Sequence, residues 1–136
     1  MSDSKKTINF VIFSRANYNS IKSVILETKK NKKFFNYRVI VGASAISKKF
    51  GSVVDLIKKD GFKVHHEINN IVESSGLESM VKTTALGMLE LSEIFRNNKP
   101  DLVFTVGDRF ETMATAITSS YMNIPLAHTM GGEVTG

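Results

Sequence analysis

The sequence predicts an α/β domain built on a parallel, doubly wound sheet in the Rossmann-like manner. Three observations carry this. Short apolar runs of strand length, rich in β-branched and aromatic residues, occur five times along the chain. Between them lie segments whose apolar residues step by three or four, the spacing of amphipathic helices. The length, 136 residues, suits one domain with a real core and is too short for two. Strands alternating regularly with helices form parallel sheets, because each right-handed crossover lays its helix on a sheet face.

The elements follow in order. Thr7 to Phe13 reads as a buried strand and Ser14 to Asn19 as a polar turn. Tyr18 to Lys32 is then helical, with Ile21, Val24, Ile25 and Thr28 on one face. Tyr37 to Val41 is the second strand, followed by the small-residue turn Gly42-Ala43-Ser44. Ser47 to Lys59 is a helix with Val53, Val54, Leu56 and Ile57 inward, stopped by Asp60-Gly61. Phe62 to Ile68 is the third strand, and Asn69 to Gly76 is polar. The longest helical pattern directs Leu77, Met80, Val81, Thr84, Met88, Leu91 and Phe95 inward, and Asn97 to Pro100 closes it. Asp101 to Val106 is the fourth strand. Arg109 to Met122 is a helix with Met113, Ala116, Ile117 and Tyr121 on one face, and Ile124 to His128 is the fifth strand.

Composition narrows the function classes. There are no cysteines, which excludes disulfides, thiolate metal sites and cysteine nucleophiles. No apolar run approaches the ~18 residues of a membrane span, and no secretory signal is evident, so a cytoplasmic protein is expected. The net charge of +5 is uneven: residues 1–68 carry +9 and residues 69–136 carry −4. The lysines scatter over helix ends and turns, which describes a solvated face and not a nucleic-acid or membrane surface. His65 and His66 are adjacent in a strand, point to opposite faces, and cannot share a metal; no metal site is expected.

Chemistry concentrates where strands end. In an open α/β sheet, the loops leaving the carboxyl ends of the strands form the ligand crevice. The first of them, Ser14-Arg15-Ala16-Asn17-Tyr18, lacks the G-x-G-x-x-G pattern, which disfavours a dinucleotide cofactor. Its arginine could grip a pyrophosphate beside a helix start, or the segment could be an ordinary capped turn. Gly107-Asp108-Arg109 follows the fourth strand directly. Asp108 is either an acid/base group or a helix N-cap, and Arg109 can bind an anion. His128 ends the fifth strand before Gly131-Gly132-Glu133, either as a proton-transfer group or as a hydrogen-bonded edge histidine.

Together these stretches resemble the hydrolysing UDP-N-acetylglucosamine 2-epimerases of sialic-acid and related nonulosonate pathways. The resemblance covers essentially the whole chain. It is carried by Ser14 to Tyr18, Val41 to Ala45 with Phe50-Gly51, Asp60-Gly61-Phe62, Lys82 to Leu91, Lys99-Pro100-Asp101, Val106 to Thr112, and Tyr121 to Gly136. It implies the amino-terminal half of a two-domain GT-B arrangement, the carboxy-terminal nucleotide-binding domain lying beyond this sequence, and a homo-oligomer when the protein is full length. It implies conversion of UDP-N-acetylglucosamine to N-acetylmannosamine plus UDP: UDP leaves carbon 1 as the carbon 2 proton is removed, and water adds to the resulting glycal. No cofactor is implied, and this length alone is expected to be inactive.

The resemblance also assigns roles. Asp108 matches the catalytic aspartate, Arg15 and Arg109 match nucleotide-contacting arginines, Asn19 occupies a further substrate-contact position, and His128 matches a strand-end histidine. Met130 departs from the pattern, because relatives carry a glutamate or glutamine there and a thioether cannot move a proton. Either Glu133 takes the acid/base role, or the chemistry differs, or the site is degenerate. Ala45 departs too, since some relatives have histidine there. Two other readings stay open: a nucleotide-sugar binding remnant without turnover, and a GT-B glycosyltransferase. The alternatives to UDP-N-acetylglucosamine are its GDP counterpart and bacillosamine-type sugars.

Overall fold

The computed structural model describes residues 4–132 and Val134. Five parallel strands lie in the order β3-β2-β1-β4-β5. They are β1 (Lys6–Ile12), β2 (Phe35–Gly42), β3 (His66–Ile68), β4 (Leu102–Val106) and β5 (Leu126–Thr129). The helices are α1 (Arg15–Lys30), α2 (Val53–Lys59), α3 (Glu78–Asn97) and α4 (Thr112–Tyr121). The chain winds outward from β1 to β3, then α3 carries it back across the sheet to β4 beside β1. The strand order therefore reverses between β1 and β4, where a doubly wound sheet opens a crevice at its carboxyl edge.

Strand alternation builds two cores. On one face Phe10, Ile12, Val39 and Val41 pack against Tyr18, Ile21 and Ile25 of α1 and Val53 and Ile57 of α2. On the other, Val11, Ile40 and Val103 pack against Leu91 and Phe95 of α3 and Ala114 of α4. Both faces of β1 are thus buried, which is why its sequence reads as a continuous apolar run. Each such side chain contributes roughly 1.5–3 kcal/mol by leaving water.

Several boundaries differ from the sequence reading, each for a local reason. The first helix begins at Arg15 and not after a turn, because Ser14 Oγ accepts the Asn17 N–H at 3.1 Å as an N-cap. The segment 47–59 is broken: Gly51 sits at φ 73° between a short 3-10 turn and α2, which Ser52 caps. The third strand shrinks to three residues. His65 Nδ1 accepts the Val39 N–H at 3.0 Å, so a side chain replaces the ladder carbonyl just before the pairing starts. The fourth helix starts at Thr112, three residues late, since residues 107–111 form a turn first.

The largest difference concerns which way two helices face. Of the α3 residues expected inward, Leu91 and Phe95 are buried and Met88 packs partly on the core. Leu77 and Val81 are exposed, and the buried positions of the amino half are Ser79, Thr83 and Gly87. Gly87 explains the rotation. A Cβ there would lie 3.0 Å from the Ala114 Cβ, so its absence lets α3 and α4 approach closely. Thr83 in turn accepts the Val72 N–H on its Oγ1 at 2.9 Å. On α4 the buried residues are Ala114, Thr115, Thr118 and Ser119, while Met113 and Tyr121 face outward.

Candidate functional site

The crevice between β1 and β4 is assembled from three loops. Asn17, buried in the first turn of α1, accepts the Phe13 N–H on Oδ1 at 3.1 Å and donates Nδ2 to the Val106 carbonyl at 3.2 Å. One side chain thus ties the carboxyl ends of β1 and β4 together. Gly107 then adopts φ 83°, a left-handed conformation that a side chain would strain, and its N–H donates to the Thr129 carbonyl at 3.0 Å. This bond aligns the loop after β4 with the loop after β5.

These loops enclose a hollow of about 240 Å³. Ala16, Asn17 and Ser20 of α1 form one wall, Gly107, Asp108 and Arg109 the floor, and Met130, Gly131 and Gly132 the far rim. A second hollow of about 320 Å³ continues from it, sharing Ala16 and Arg109 and adding Ser14, Arg15, Ser44 and Val53. Arg15 and Arg109 therefore line one continuous depression, the placement expected from neighbouring strands at the switch point.

Asp108 is exposed in this depression and makes no hydrogen bond to the described residues. The capping reading fails geometrically, since α4 begins four residues later and its N-cap position, Glu111, makes no side-chain cap. Arg109 is held by a fork: its Nε and a terminal nitrogen donate to the two Glu111 oxygens at 3.1 and 2.8 Å. Glu111 is only 2% exposed, whereas the Arg109 side chain remains 46% exposed. The Glu111 carboxylate raises the Arg109 pKa further above its ordinary value. Two of the five guanidinium N–H donors are thereby committed, leaving the rest for an anion.

Not every expected residue converges here. Asn19 is exposed on α1 and lines neither hollow; Asn17 and Ser20 hold that wall instead. His128 is exposed on β5, and its register partner is Thr105. Thr105 alternates with Val106, which belongs to the α1 face, so His128 stands on the α3/α4 face and not in the depression. Its ring lies where any side chain at Gly131 would collide. Met130 sits on the rim at φ 58°, a left-handed conformation that costs a bulky residue about 1–3 kcal/mol. Glu133 lies outside the described residues. Sequence reasoning missed Glu111 and Asn17. An acid two residues after an arginine in a loop is the signal that would have found the first, and the cap pattern after Ser14 the second.

Other features are structural. His65 is held below its ordinary pKa by burial and nearby cations, and it spends Nδ1 on the β2 backbone. Among the described residues no group of three His, Asp or Glu could hold a metal ion, and no helix is long and apolar enough to cross a membrane. A larger hollow of about 510 Å³, with Lys29, Lys30 and Lys32, lies away from the switch point at the start of β2. It holds no carboxylate, and two of its lysines are engaged, Lys29 with the Gly61 carbonyl and Lys30 with Glu27.

Comparison with known proteins bears directly on this arrangement. A protein from Campylobacter jejuni described as GDP/UDP-N,N'-diacetylbacillosamine 2-epimerase (hydrolyzing) is 31% identical over 132 residues, spanning 97% of this chain and 34% of that protein. The crystal structure of a UDP-N-acetylglucosamine 2-epimerase superposes with a TM-score of 0.81 at 23% identity, covering 98% of this chain and 34% of that one. The Neisseria meningitidis UDP-GlcNAc 2-epimerase bound to UDP-GlcNAc gives a TM-score of 0.79 at 22% identity, covering 95% and 33%. This chain thus spans about a third of the length of the relatives it matches, and its five-stranded sheet is the Rossmann-like half of their GT-B-like fold. The family model described as UDP-N-acetylglucosamine 2-epimerase matches residues 27–136, and the chain belongs to that family.

Proposed function

We propose that this chain forms the acid/base wall of a hydrolysing 2-epimerase acting on a nucleotide-activated amino sugar. The observation that carries the reading is the pair of adjoining hollows at the switch point, one lined by an uncapped Asp108 with Arg109 and the other by Arg15 with the same Arg109. Two guanidinium groups suit a diphosphate, which they hold by charge-assisted bonds. A carboxylate beside them can remove a weakly acidic proton from the sugar while leaving-group charge is stabilised. The substrate is UDP-N-acetylglucosamine, and the products are N-acetylmannosamine and UDP.

In this account Asp108 exchanges the carbon 2 proton, Arg15 and Arg109 hold the diphosphate, and Glu133 supplies a second acid/base group in place of Met130. His128 is left out of that set because β5 presents it on the other face. The depression has one wall only, and each hollow, at about 240 and 320 Å³, lies at or below the low end of small-molecule sites. A second domain is needed to close it.

A second reading follows from the Campylobacter jejuni relative, whose name specifies a diacetylbacillosamine nucleotide. Product analysis separates them. The complete gene product, offered UDP-N-acetylglucosamine and UDP-N,N'-diacetylbacillosamine in turn, should release UDP and a free 2-epimerised sugar from the first. Release from the second alone moves the substrate assignment. Binding without any product leaves a binding remnant, and a glycosylated acceptor would mark a glycosyltransferase.

A further inference from the structure

Asn70 is fully buried, although it lies in the polar stretch after β3. A buried amide is costly unless its polar atoms are satisfied, and this one is held on both sides. Its Oδ1 accepts the Ala43 N–H at 2.7 Å, and its Nδ2 donates to the Thr83 carbonyl of α3 at 3.4 Å. Two glycines make the slot it occupies. A Cβ at Gly42 would lie 2.8 Å from Oδ1, and one at Gly87 would lie 3.1 Å from Nδ2. The end of β2 and the middle of α3 are thus both cut away for a single side chain.

What the amide grips is the start of the loop 43–51. Ala43 sits at φ 48°, a left-handed conformation that an L side chain adopts only where its surroundings impose it. The reversal there sends the next two residues back to β1. Ser44 Oγ and the Ala45 N–H both donate to the Phe13 carbonyl, at 2.9 and 3.2 Å. Phe13 lies just ahead of Ser14 and Arg15 in the chain. The far end of the loop returns to the same arginine, since a Cβ at Gly51 would stand 3.1 Å from a terminal nitrogen of the Arg15 guanidinium. Arg109 is fixed by the Glu111 carboxylate, whereas Arg15 has no ion pair among the described residues.

We propose that Asn70 is a positioning residue for Arg15, a role that rests on the reading of Arg15 as a diphosphate-holding group. It locks the loop 43–51, whose start pins the Phe13 carbonyl and whose far end backs the guanidinium. Asn70 itself lines neither hollow of the crevice, whereas Ser44 and Arg15 line the second. With the amide removed, the Ala43 N–H loses its acceptor and nothing offsets the left-handed strain. Ala43 then relaxes, and Ser44 leaves the Phe13 carbonyl. Asn17 still holds the Phe13 N–H, so the end of β1 keeps its place while the loop comes free. Arg15 samples more orientations, and a diphosphate must order it on binding. That cost falls on binding and not on proton transfer at Asp108.

A double-mutant cycle on the complete gene product tests this, read as the Kd for UDP and as KM against kcat for UDP-N-acetylglucosamine, with melting temperature alongside. Asn70→Ala should raise Kd and KM about tenfold and leave kcat within about threefold, the scale of ordering one long side chain on binding. Arg15→Ala should raise them at least as much. The double variant should bind no worse than Arg15→Ala alone, because residues that act through one another do not add. Asn70→Asp keeps the acceptor toward Ala43 and should bind UDP within about threefold of the wild type. Should Asn70→Ala fail to fold, Ser44→Ala breaks the same relay one step later, at a half-buried hydroxyl, and must show the same non-additivity with Arg15→Ala. An Arg15→Ala protein that binds UDP as the wild type does would sink the diphosphate reading and the positioning role together. Weakened binding in Arg15→Ala, with Asn70→Ala unaffected or with losses that add in the double variant, would overturn the positioning role alone.

Discussion

Glu111 and Arg109 form one unit at the floor of the crevice. The carboxylate is enclosed, the guanidinium half-open, and the fork between them fixes where the arginine can reach. Glu111→Gln keeps the shape and removes the charge, so the arginine loses its anchor without a cavity forming. The expected outcome in the complete enzyme is a KM for the nucleotide sugar raised about tenfold or more, with a smaller change in kcat, since charged hydrogen bonds contribute about 1.5–3 kcal/mol. A lowered melting temperature with KM unchanged would make Glu111 a structural anchor only. The rim carries a second test. Met130 holds a strained left-handed conformation beside the glycine pair. If Glu133 serves as the acid/base group, Glu133→Gln abolishes turnover and Met130→Glu changes little. If Met130 is a disabling substitution, Met130→Glu raises the rate. Two inert substitutions would remove both accounts of this loop.

Elements, not single residues, aim the site, and here the sequence was only partly legible. Strand ends were easy to find because a buried parallel strand is a compact apolar run, and Arg15, Asp108 and Arg109 follow such runs at once. Helix faces were harder. The step of three or four located α3 and α4 correctly, but two stripes of that spacing exist on α3, and Gly87 decides which one turns inward by letting α4 approach. A glycine contact between helices 27 residues apart has no signature in local periodicity. The same holds for His128, whose face depends on its register with Thr105. One tertiary tie beyond local pattern is measurable. Tyr18 of α1 donates to Asp60 Oδ2 at 2.7 Å, and Lys22 pairs with the same oxygen at 2.7 Å, fastening α1 to the end of α2. Lys22 first, then Tyr18, holds the Asp60 carboxyl below the usual carboxylate range. A folded-state pKa lower than the unfolded one, about 3.9, contributes stability that is present above that value and lost as pH falls through the lowered one. Denaturation of wild type and Asp60→Asn should therefore differ at pH 6 and converge toward pH 2. A difference that persists in acid would assign the effect to packing.

At the scale of the molecule, the depression is a half-site. It collects two arginines and a carboxylate on one open wall, and nothing among the described residues covers the opposite side. A nucleotide held by one wall keeps much of its water, and binding groups aligned on one side cannot exclude solvent from a reacting centre. The 136-residue chain alone should therefore bind UDP weakly and turn over essentially no substrate. Sustained release of UDP by this length would contradict the need for a second domain. The charge distribution fits this division, with the acidic second half of the chain carrying the loops that hold Asp108 and the glycine pair, and the basic first half carrying Arg15.

The most direct test of Asp108 as the proton-transfer group is turnover of UDP-N-acetylglucosamine by the complete gene product in deuterium oxide, wild type against Asp108→Asn, with substrate binding measured alongside. The wild type should release UDP and N-acetylmannosamine carrying deuterium at carbon 2. The variant should bind substrate comparably while turnover falls by about 100-fold or more, the scale of a lost acid/base group. An Asp108→Asn protein that turns over and labels its product at the wild-type rate would contradict the account.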